Sequence, residues 1–234
     1  MANHLNQREI IHRNLMIKYH DKSAPDDTTK RKLIAATQEA RAVMRSVVWR
    51  MDKVVFFGRD EADYFAKTMV QHFGLGKPKG AERTRYLNKI RHIMLGISFN
   101  LNTGTYLLDI DNQNRKVQSG RTLDPTNDPK DDLKETEGYI TVMKGLGLTI
   151  TGPIHLDFKR AAKYSKTATA RVIIHEASHT FCKTDDVAYN WDPAYNMMSL
   201  DDAVRNADSY AYAALSLASK KLVTHQSLKK AGEH

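Results

Sequence analysis

Residues 172–179 read Val-Ile-Ile-His-Glu-Ala-Ser-His, an apolar segment that leads into two histidines four positions apart. On an α-helix, positions i and i+4 share a face, so His175 and His179 can direct their imidazoles at one metal ion. Glu176 can face the remaining coordination position and take a proton from an attacking water. The spacing predicts a zinc site with Glu176 as general base. The alternative is a pair of ordinary surface histidines beside a solvated glutamate.

A catalytic zinc site needs a third protein ligand and one open position. The only glutamate after His179 is Glu233, close to the end of the sequence, so an aspartate is expected. Asp185 and Asp186 are the near candidates. Asp185 has the third-ligand spacing of an HExxHxxGxxD metzincin-like site, although Cys182 stands where that pattern has glycine.

The order of three motifs after residue 150 resembles the aspzincin metallopeptidases, the deuterolysin and peptidyl-Lys metalloendopeptidase group. The resemblance covers roughly residues 150–218. The matching residues are His175, Glu176, His179, Thr184, Asp186, Tyr189, Asn206, Ala207, Asp208 and Tyr210. The family usually has glycine where this chain has Lys183 and Asn190, so the loop that carries the third ligand departs from the family pattern.

The resemblance implies a role for several of these positions. The zinc ligands would be His175, His179 and Asp186. Glu176 would be the general base, and Tyr189 would place its hydroxyl near the substrate carbonyl and stabilise the oxyanion. Asp208 would lie near the pocket for the residue that follows the scissile bond. In the lysine-specific members, an aspartate there pairs with the substrate lysine.

The residues around Asp208 leave its partner open. Val204, Asp208, Ala211 and Leu215 share one face of a predicted helix. A carboxylate on such a small, apolar face is costly unless it is paired. The partner is either a substrate cation, which would give a preference for lysine after the scissile bond, or a backbone N–H or internal arginine.

The pattern of apolar residues predicts both helices and strands. The resemblance implies an α+β, zincin-like fold with a small sheet before the metal-binding helix. We divide the chain into a helical N-terminal region of unknown role, residues 1–96, and a zincin-like catalytic domain, residues 97–234. Residues 26–29, Asp-Asp-Thr-Thr, are a start signal for a helix whose period runs over residues 33–48. Another helix is predicted over residues 81–94, ending near Gly96, and a hairpin over 97–110. A strand over 153–158 is expected to line the cleft and bind substrate by strand addition.

The other segments of the catalytic domain are predicted less directly. Residues 111–137 are expected to form a surface loop, and residues 138–151 a strand and turn. The metal-binding helix is expected to begin at Thr167 or Thr169, and the last helix at Ser199.

The net charge of +9 lies entirely in the first 100 residues. We interpret it as a solvated, Lys/Arg-rich helical surface, because no aromatic-interleaved nucleic-acid motif accompanies it. Nucleic acid is therefore not the expected partner. The alternative from another functional class is a basic protein that binds nucleic acid or a membrane surface and has a structural metal site.

One cysteine, Cys182, excludes an intramolecular disulfide and fits folding in a reducing compartment. Residues 1–9 predict no cleavable export signal, and no apolar run reaches the about 18 residues that span a bilayer. We expect cytoplasmic synthesis, with export by a signal-peptide-independent system left open. The expected function is a zinc-dependent endopeptidase acting on proteins or peptides. As an exported effector or toxin, it could use its basic region for a delivery or immunity partner.

Overall fold

The computed structural model describes residues 6–20, 23–57, 63–109 and 153–230. The chain is a mixed α+β protein in which helices pack on a small sheet. The strands are β1 (Asn6–His12), β2 (Leu15–His20), β3 (Thr105–Asp109) and β4 (Ile154–Leu156). The helices are α1 (Asp27–Val55), α2 (Asp63–Phe73), α3 (Gly80–Thr103), α4 (Phe158–Ala161), α5 (Lys166–Cys182), α6 (Leu200–Arg205), α7 (Ala207–Ser219) and α8 (His225–Lys230). A 3₁₀ helix spans Pro193–Met197.

The strands of the described residues pair in the order β1-β2-β3-β4. β1 and β2 are antiparallel, whereas β2 with β3 and β3 with β4 are parallel. Of the strand predicted over residues 153–158, the structure has β4 over Ile154–Leu156, because Phe158 already begins α4. β4 lies at one edge of this sheet. Its use for binding substrate stays a prediction.

Helix α1 begins where the sequence predicts. Asp26 caps the helix, since its carboxylate accepts a hydrogen bond from the backbone N–H of Thr29 at 2.7 Å. Leu33, Ala40 and Met44 are buried in one core with residues of α5 and α7. Helix α1 packs against α3, α5 and α7, so the N-terminal region shares its core with α5, the helix predicted to bind the metal.

The prediction of helix through the first hundred residues is wrong for residues 6–20, which form β1 and β2. β2 pairs with β3 across more than 80 residues of sequence, and a local period cannot reveal such a pairing. The division at residue 96 falls inside α3. Separate roles for residues 1–96 and 97–234 stay a prediction.

The hairpin predicted over residues 97–110 is wrong in its first half, because α3 continues through Gly96 to Thr103. Ile90, Met94, Ile97 and Leu101 fall on three- and four-residue steps and are all fully buried, so the helical face does not end at the glycine. A Cβ at Gly96 would lie 3.0 Å from Sγ of Cys182 in α5. The glycine is therefore explained by close helix packing rather than by a helix end.

The loop and the strand and turn predicted over residues 111–137 and 138–151 lie outside the described residues. The predicted last helix begins after Ser199 but is two helices, α6 and α7, which meet at Asn206. Within the described ranges, no helix combines the length and the apolar character that a membrane span requires.

Candidate metal centre

Helix α5 holds the two histidines at the edge of the core. Ser165 caps the helix by accepting a hydrogen bond from the N–H of Ala168 at 3.1 Å, so the caps predicted at Thr167 or Thr169 are wrong. Ile173 and Ile174 are fully buried. They anchor the helix so that His175 is buried and His179 half-buried, one turn apart on the same face.

A left-handed residue turns the chain back onto this face. Helix α5 ends at Cys182, and Lys183 follows with φ 57°. This backbone conformation favours glycine. It therefore explains why the family that this chain resembles usually has glycine at this position. The lysine adopts it here and so keeps the turn that leads to Asp185 and Asp186.

The two aspartates after the turn face opposite ways. The backbone of Asp185 pairs with the junction of α6 and α7, since its N–H donates to the carbonyl of Arg205 at 2.7 Å and its carbonyl accepts from Ala207 at 2.9 Å. Its side chain points to Arg205, at 3.4 Å. Successive side chains of an extended segment alternate in direction, so Asp186 faces the histidines.

Three side-chain atoms converge. Oδ1 of Asp186 lies 3.0 Å from Nε2 of His175 and 3.2 Å from Nε2 of His179, and the two Nε2 atoms are 3.2 Å apart. Among the described residues, this is the group of three ligand-type side chains that could hold a metal ion.

In both histidines the second ring nitrogen, Nδ1, makes a hydrogen bond to the protein. Nδ1 of His175 donates to Oδ1 of Asp208 at 2.8 Å, and Nδ1 of His179 donates to the carbonyl of Thr184 at 2.7 Å. These acceptors place the proton of each neutral imidazole on Nδ1 and leave a lone pair on Nε2. Two lone pairs aimed at one point beside a carboxylate form a site for a cation.

The donor set and its spacing fit zinc. Zinc binds imidazole nitrogen and carboxylate oxygen at about 2.0–2.2 Å in a tetrahedral arrangement, which separates ligand atoms by roughly 3.3 Å. The three separations measured here are close to that value. Hydrogen bonds from the outer ring nitrogens to neighbouring acceptors are the usual support of metal-binding histidines.

The charged groups of the site shift one another's pKa values. Burial lowers the pKa of His175, but its hydrogen bonds with Asp186 and Asp208 outweigh burial and raise the pKa to about 10. Burial acts against ionisation of Asp186, yet its contacts with both histidines hold its pKa well below the usual range. The site is therefore built to hold positive charge.

Glu176 lies beside the converging atoms. Its Oε1 is 4.0 Å from Nε2 of His175, and its side chain is 19% exposed. Burial raises the pKa of this carboxyl, and the neighbouring histidines oppose the shift. A partly desolvated carboxylate that remains accessible is suited to proton transfer.

Tyr189 closes one side of the site. Its hydroxyl donates to Oδ2 of Asp186 at 3.1 Å, and its ring stacks on the ring of His175 with centroids 6.1 Å apart. Burial raises the pKa of its hydroxyl, and the charge of Asp186 raises it further. The hydroxyl therefore stays protonated and can donate a hydrogen bond.

Within the described residues, the carboxylate of Asp208 contacts other groups of the protein. Its side chain is fully buried, with Oδ1 bound to His175 and 3.3 Å from Nη1 of Arg171, and Oδ2 accepting from the N–H of Asn190 at 2.7 Å. The sequence left either a substrate cation or an internal group as the partner of Asp208, and the structure shows internal groups. His175 and Arg171 contact the carboxylate. A place for Asp208 in a pocket for a substrate lysine stays a prediction.

Two supporting residues were given no role from the sequence. Oδ1 of Asn206 accepts hydrogen bonds from the N–H groups of Val187 and Ala188, each at 3.1 Å, and so fixes the ligand loop. Arg171 lies four residues before His175, and only this helical spacing could have indicated that it lies near the site.

Part of the chain matches a known protein family. Residues 107–214 match the sequence model of the aspzincin family, whose description is lysine-specific metallo-endopeptidase. The match begins upstream of residue 150, where the resembling motifs start, and includes every residue of the candidate metal centre. No curated protein and no solved structure matches the chain.

Proposed function

Since residues 107–214 are an aspzincin-family catalytic domain, we propose that this chain is a zinc-dependent endopeptidase that hydrolyses peptide bonds in proteins. The observation that carries the proposal is the convergence of His175, His179 and Asp186, whose ligand atoms all lie within 4.8 Å of one another. We assign these three residues as the zinc ligands of a zincin-like site on α5.

The residues around the metal centre have distinct tasks in the proposed reaction. When bound, zinc supplies Lewis acidity that polarises the substrate carbonyl and lowers the pKa of a water molecule to about 7. Glu176 accepts the proton of the attacking water and passes it to the leaving amine. The hydroxyl of Tyr189 donates a hydrogen bond to the carbonyl oxygen as negative charge develops there.

Asp208 acts indirectly in this proposal. It holds His175 in the tautomer whose Nε2 can bind the metal. A preference for lysine, as the family description states, has no support from Asp208 here, because Arg171 already pairs with that carboxylate. Roles as an exported effector or toxin, and a delivery or immunity partner for the basic region, stay predictions that a secretion assay would test.

The test compares zinc content and cleavage of denatured casein for the wild type and Glu176→Gln. The wild type is expected to bind about one zinc and cleave, whereas the variant binds zinc and is slower by at least about 100-fold, the lower range for a general base. Glu82→Gln is the matched control, since Glu82 is exposed in the first turn of α3. A wild type that binds zinc but cleaves no protein contradicts the peptidase, and one that binds no zinc contradicts the metal site.

A further inference from the structure

A cavity of about 370 Å³ lies between α4, α5 and α8, one helical turn before His175. This volume is within the range of ligand pockets in proteins. The lining residues are Arg160, Tyr164, Ala168, Arg171, Trp191, Tyr212, His225, Leu228 and Lys229. None of the metal-centre residues proposed above lines it.

The lining is strongly basic. Arg160, Arg171 and Lys229 are basic side chains, and no carboxylate is among the described residues that line the cavity. Asp208, a buried carboxylate that does not line the cavity, contacts Nη1 of Arg171 at 3.3 Å. That contact engages one part of a guanidinium with five N–H donors, so Arg171 can still donate to a ligand in the cavity.

Arg171 is the central cation of this group. Its side chain is only 18% exposed, and its guanidinium lies 5.2 Å from the ring centroid of Tyr212. A charge withdrawn from water in this way interacts more strongly with an approaching anion than a fully solvated one does. Its planar guanidinium also suits two-point binding of a carboxylate.

A stack of aromatic rings joins the cavity to the metal centre. Trp191, which lines the cavity, stacks on Tyr189 with centroids 4.6 Å apart and planes 1° apart. Tyr189 also stacks on the ring of His175. Arg171 lies about 6 Å along the helix axis from His175, a distance that an extended peptide covers in about two residues.

We propose that this cavity is a substrate subsite that takes an acidic side chain, aspartate or glutamate, within about two residues of the scissile bond. The proposal rests on the proposed function and names its substrate class. A substrate lysine at this position would meet the positive charges of Arg160, Arg171 and Lys229.

The first test is cleavage-site profiling of the zinc-loaded enzyme on a library of proteome-derived peptides. We expect enrichment of aspartate and glutamate at one position near the scissile bond. In matched peptides, glutamate should raise kcat/KM over glutamine by at least about tenfold, the lower end for hydrogen bonds to a charged group, and lysine should be the poorest.

Charge reversal tests whether the cavity causes the preference. The double variant Arg160→Glu/Lys229→Glu changes two lining residues outside the metal centre and is expected to prefer lysine over glutamate. The matched control is Lys159→Glu/Lys163→Glu, which makes the same change of charge at exposed lysines that do not line the cavity. The control should retain the acidic preference of the wild type.

A second measurement does not depend on cleavage. The chain has two tryptophans, so in a Trp49→Phe/Glu176→Gln protein the fluorescence reports Trp191 in the cavity wall. We expect a saturable change with a glutamate-containing peptide, no change with its lysine counterpart, and loss of the response when Arg160→Glu/Lys229→Glu is added.

The outcomes separate the two proposals. Cleavage without an acidic preference overturns the subsite and leaves the peptidase standing. A glutamate-dependent fluorescence change in a protein that cleaves nothing overturns the peptidase, while the cavity remains a carboxylate-binding site. If neither cleavage nor the fluorescence response is found, both proposals fail.

Discussion

Oδ1 of Asp208 accepts a hydrogen bond from Nδ1 of His175 at 2.8 Å, deep in the contact between α5 and α7. The two residues are 33 positions apart in sequence. The remaining oxygen of Asp208 is held by the N–H of Asn190. Carboxylate–histidine pairs of this kind fix the tautomer and orientation of a metal ligand.

The first prediction concerns this pair. Asp208→Asn is expected to weaken zinc binding by about 10- to 100-fold, because the amide must place an N–H donor against the N–H of either His175 or Asn190. Competition with a chromogenic chelator measures the affinity. Asp202→Asn is the control, since Asp202 pairs with Arg205 away from the histidines. Equal zinc affinity in Asp208→Asn and the wild type would show that the pair does not support the metal.

The second prediction decides between the two candidate third ligands. Asp186→Ala should lose stoichiometric zinc, because Oδ1 of Asp186 is the oxygen next to both Nε2 atoms. Asp185→Ala should retain zinc, since that side chain is 59% exposed and points to Arg205. Metal analysis of the dialysed proteins gives the answer. Zinc loss in Asp185→Ala alone would establish the metzincin-like spacing instead.

The third prediction isolates the hydroxyl of Tyr189. Tyr189→Phe keeps the ring that stacks on His175 and Trp191 but removes the donor, so kcat should fall by about 100-fold while zinc content is unchanged. Steady-state cleavage of a quenched fluorescent peptide measures the effect. Tyr86→Phe removes a hydroxyl that donates to Asp201 outside the site and should leave kcat intact. A normal kcat in Tyr189→Phe would exclude the hydroxyl from the reaction.

Much of the candidate site could be predicted from local spacing alone. His175, Glu176 and His179 lie on one helix, where a period of 3.6 residues determines which side chains meet. Asp186 and Tyr189 were assigned through the family resemblance, and the structure places both against His175. Short-range relationships of this kind depend little on how the rest of the chain folds.

The features that the sequence did not predict depend on contacts between distant segments. The pairing of Arg171 with Asp208 requires α5 to lie against α7, and no periodicity indicates that packing. The same holds for β2, which pairs in parallel with β3 only after α1, α2 and α3 have intervened. Gly96 was interpreted as a helix end because its close neighbour, Cys182, is 86 residues away in sequence.

The last prediction uses a buried histidine outside the metal centre. His72 is enclosed in the core, with Nδ1 2.9 Å from the hydroxyl of Tyr195 and Nε2 3.2 Å from Oγ of Ser216. Burial lowers its pKa from 6.5 to about 3. Between these two values the unfolded chain binds a proton that the folded protein does not, so His72 makes stability fall as the pH drops below about 6.5.

Urea unfolding of zinc-loaded protein at pH 7.5 and pH 5.5 measures this contribution. Between these pH values the wild type should lose about 1.4 kcal/mol more unfolding free energy than His72→Gln, which has no group to protonate there. The variant starts less stable at pH 7.5 because it disturbs the hydrogen bonds to Tyr195 and Ser216. His92→Gln, at an exposed position of α3, should keep the pH dependence of the wild type. Identical pH dependence in His72→Gln and the wild type would mean that the pKa of His72 is the same in the folded and the unfolded chain.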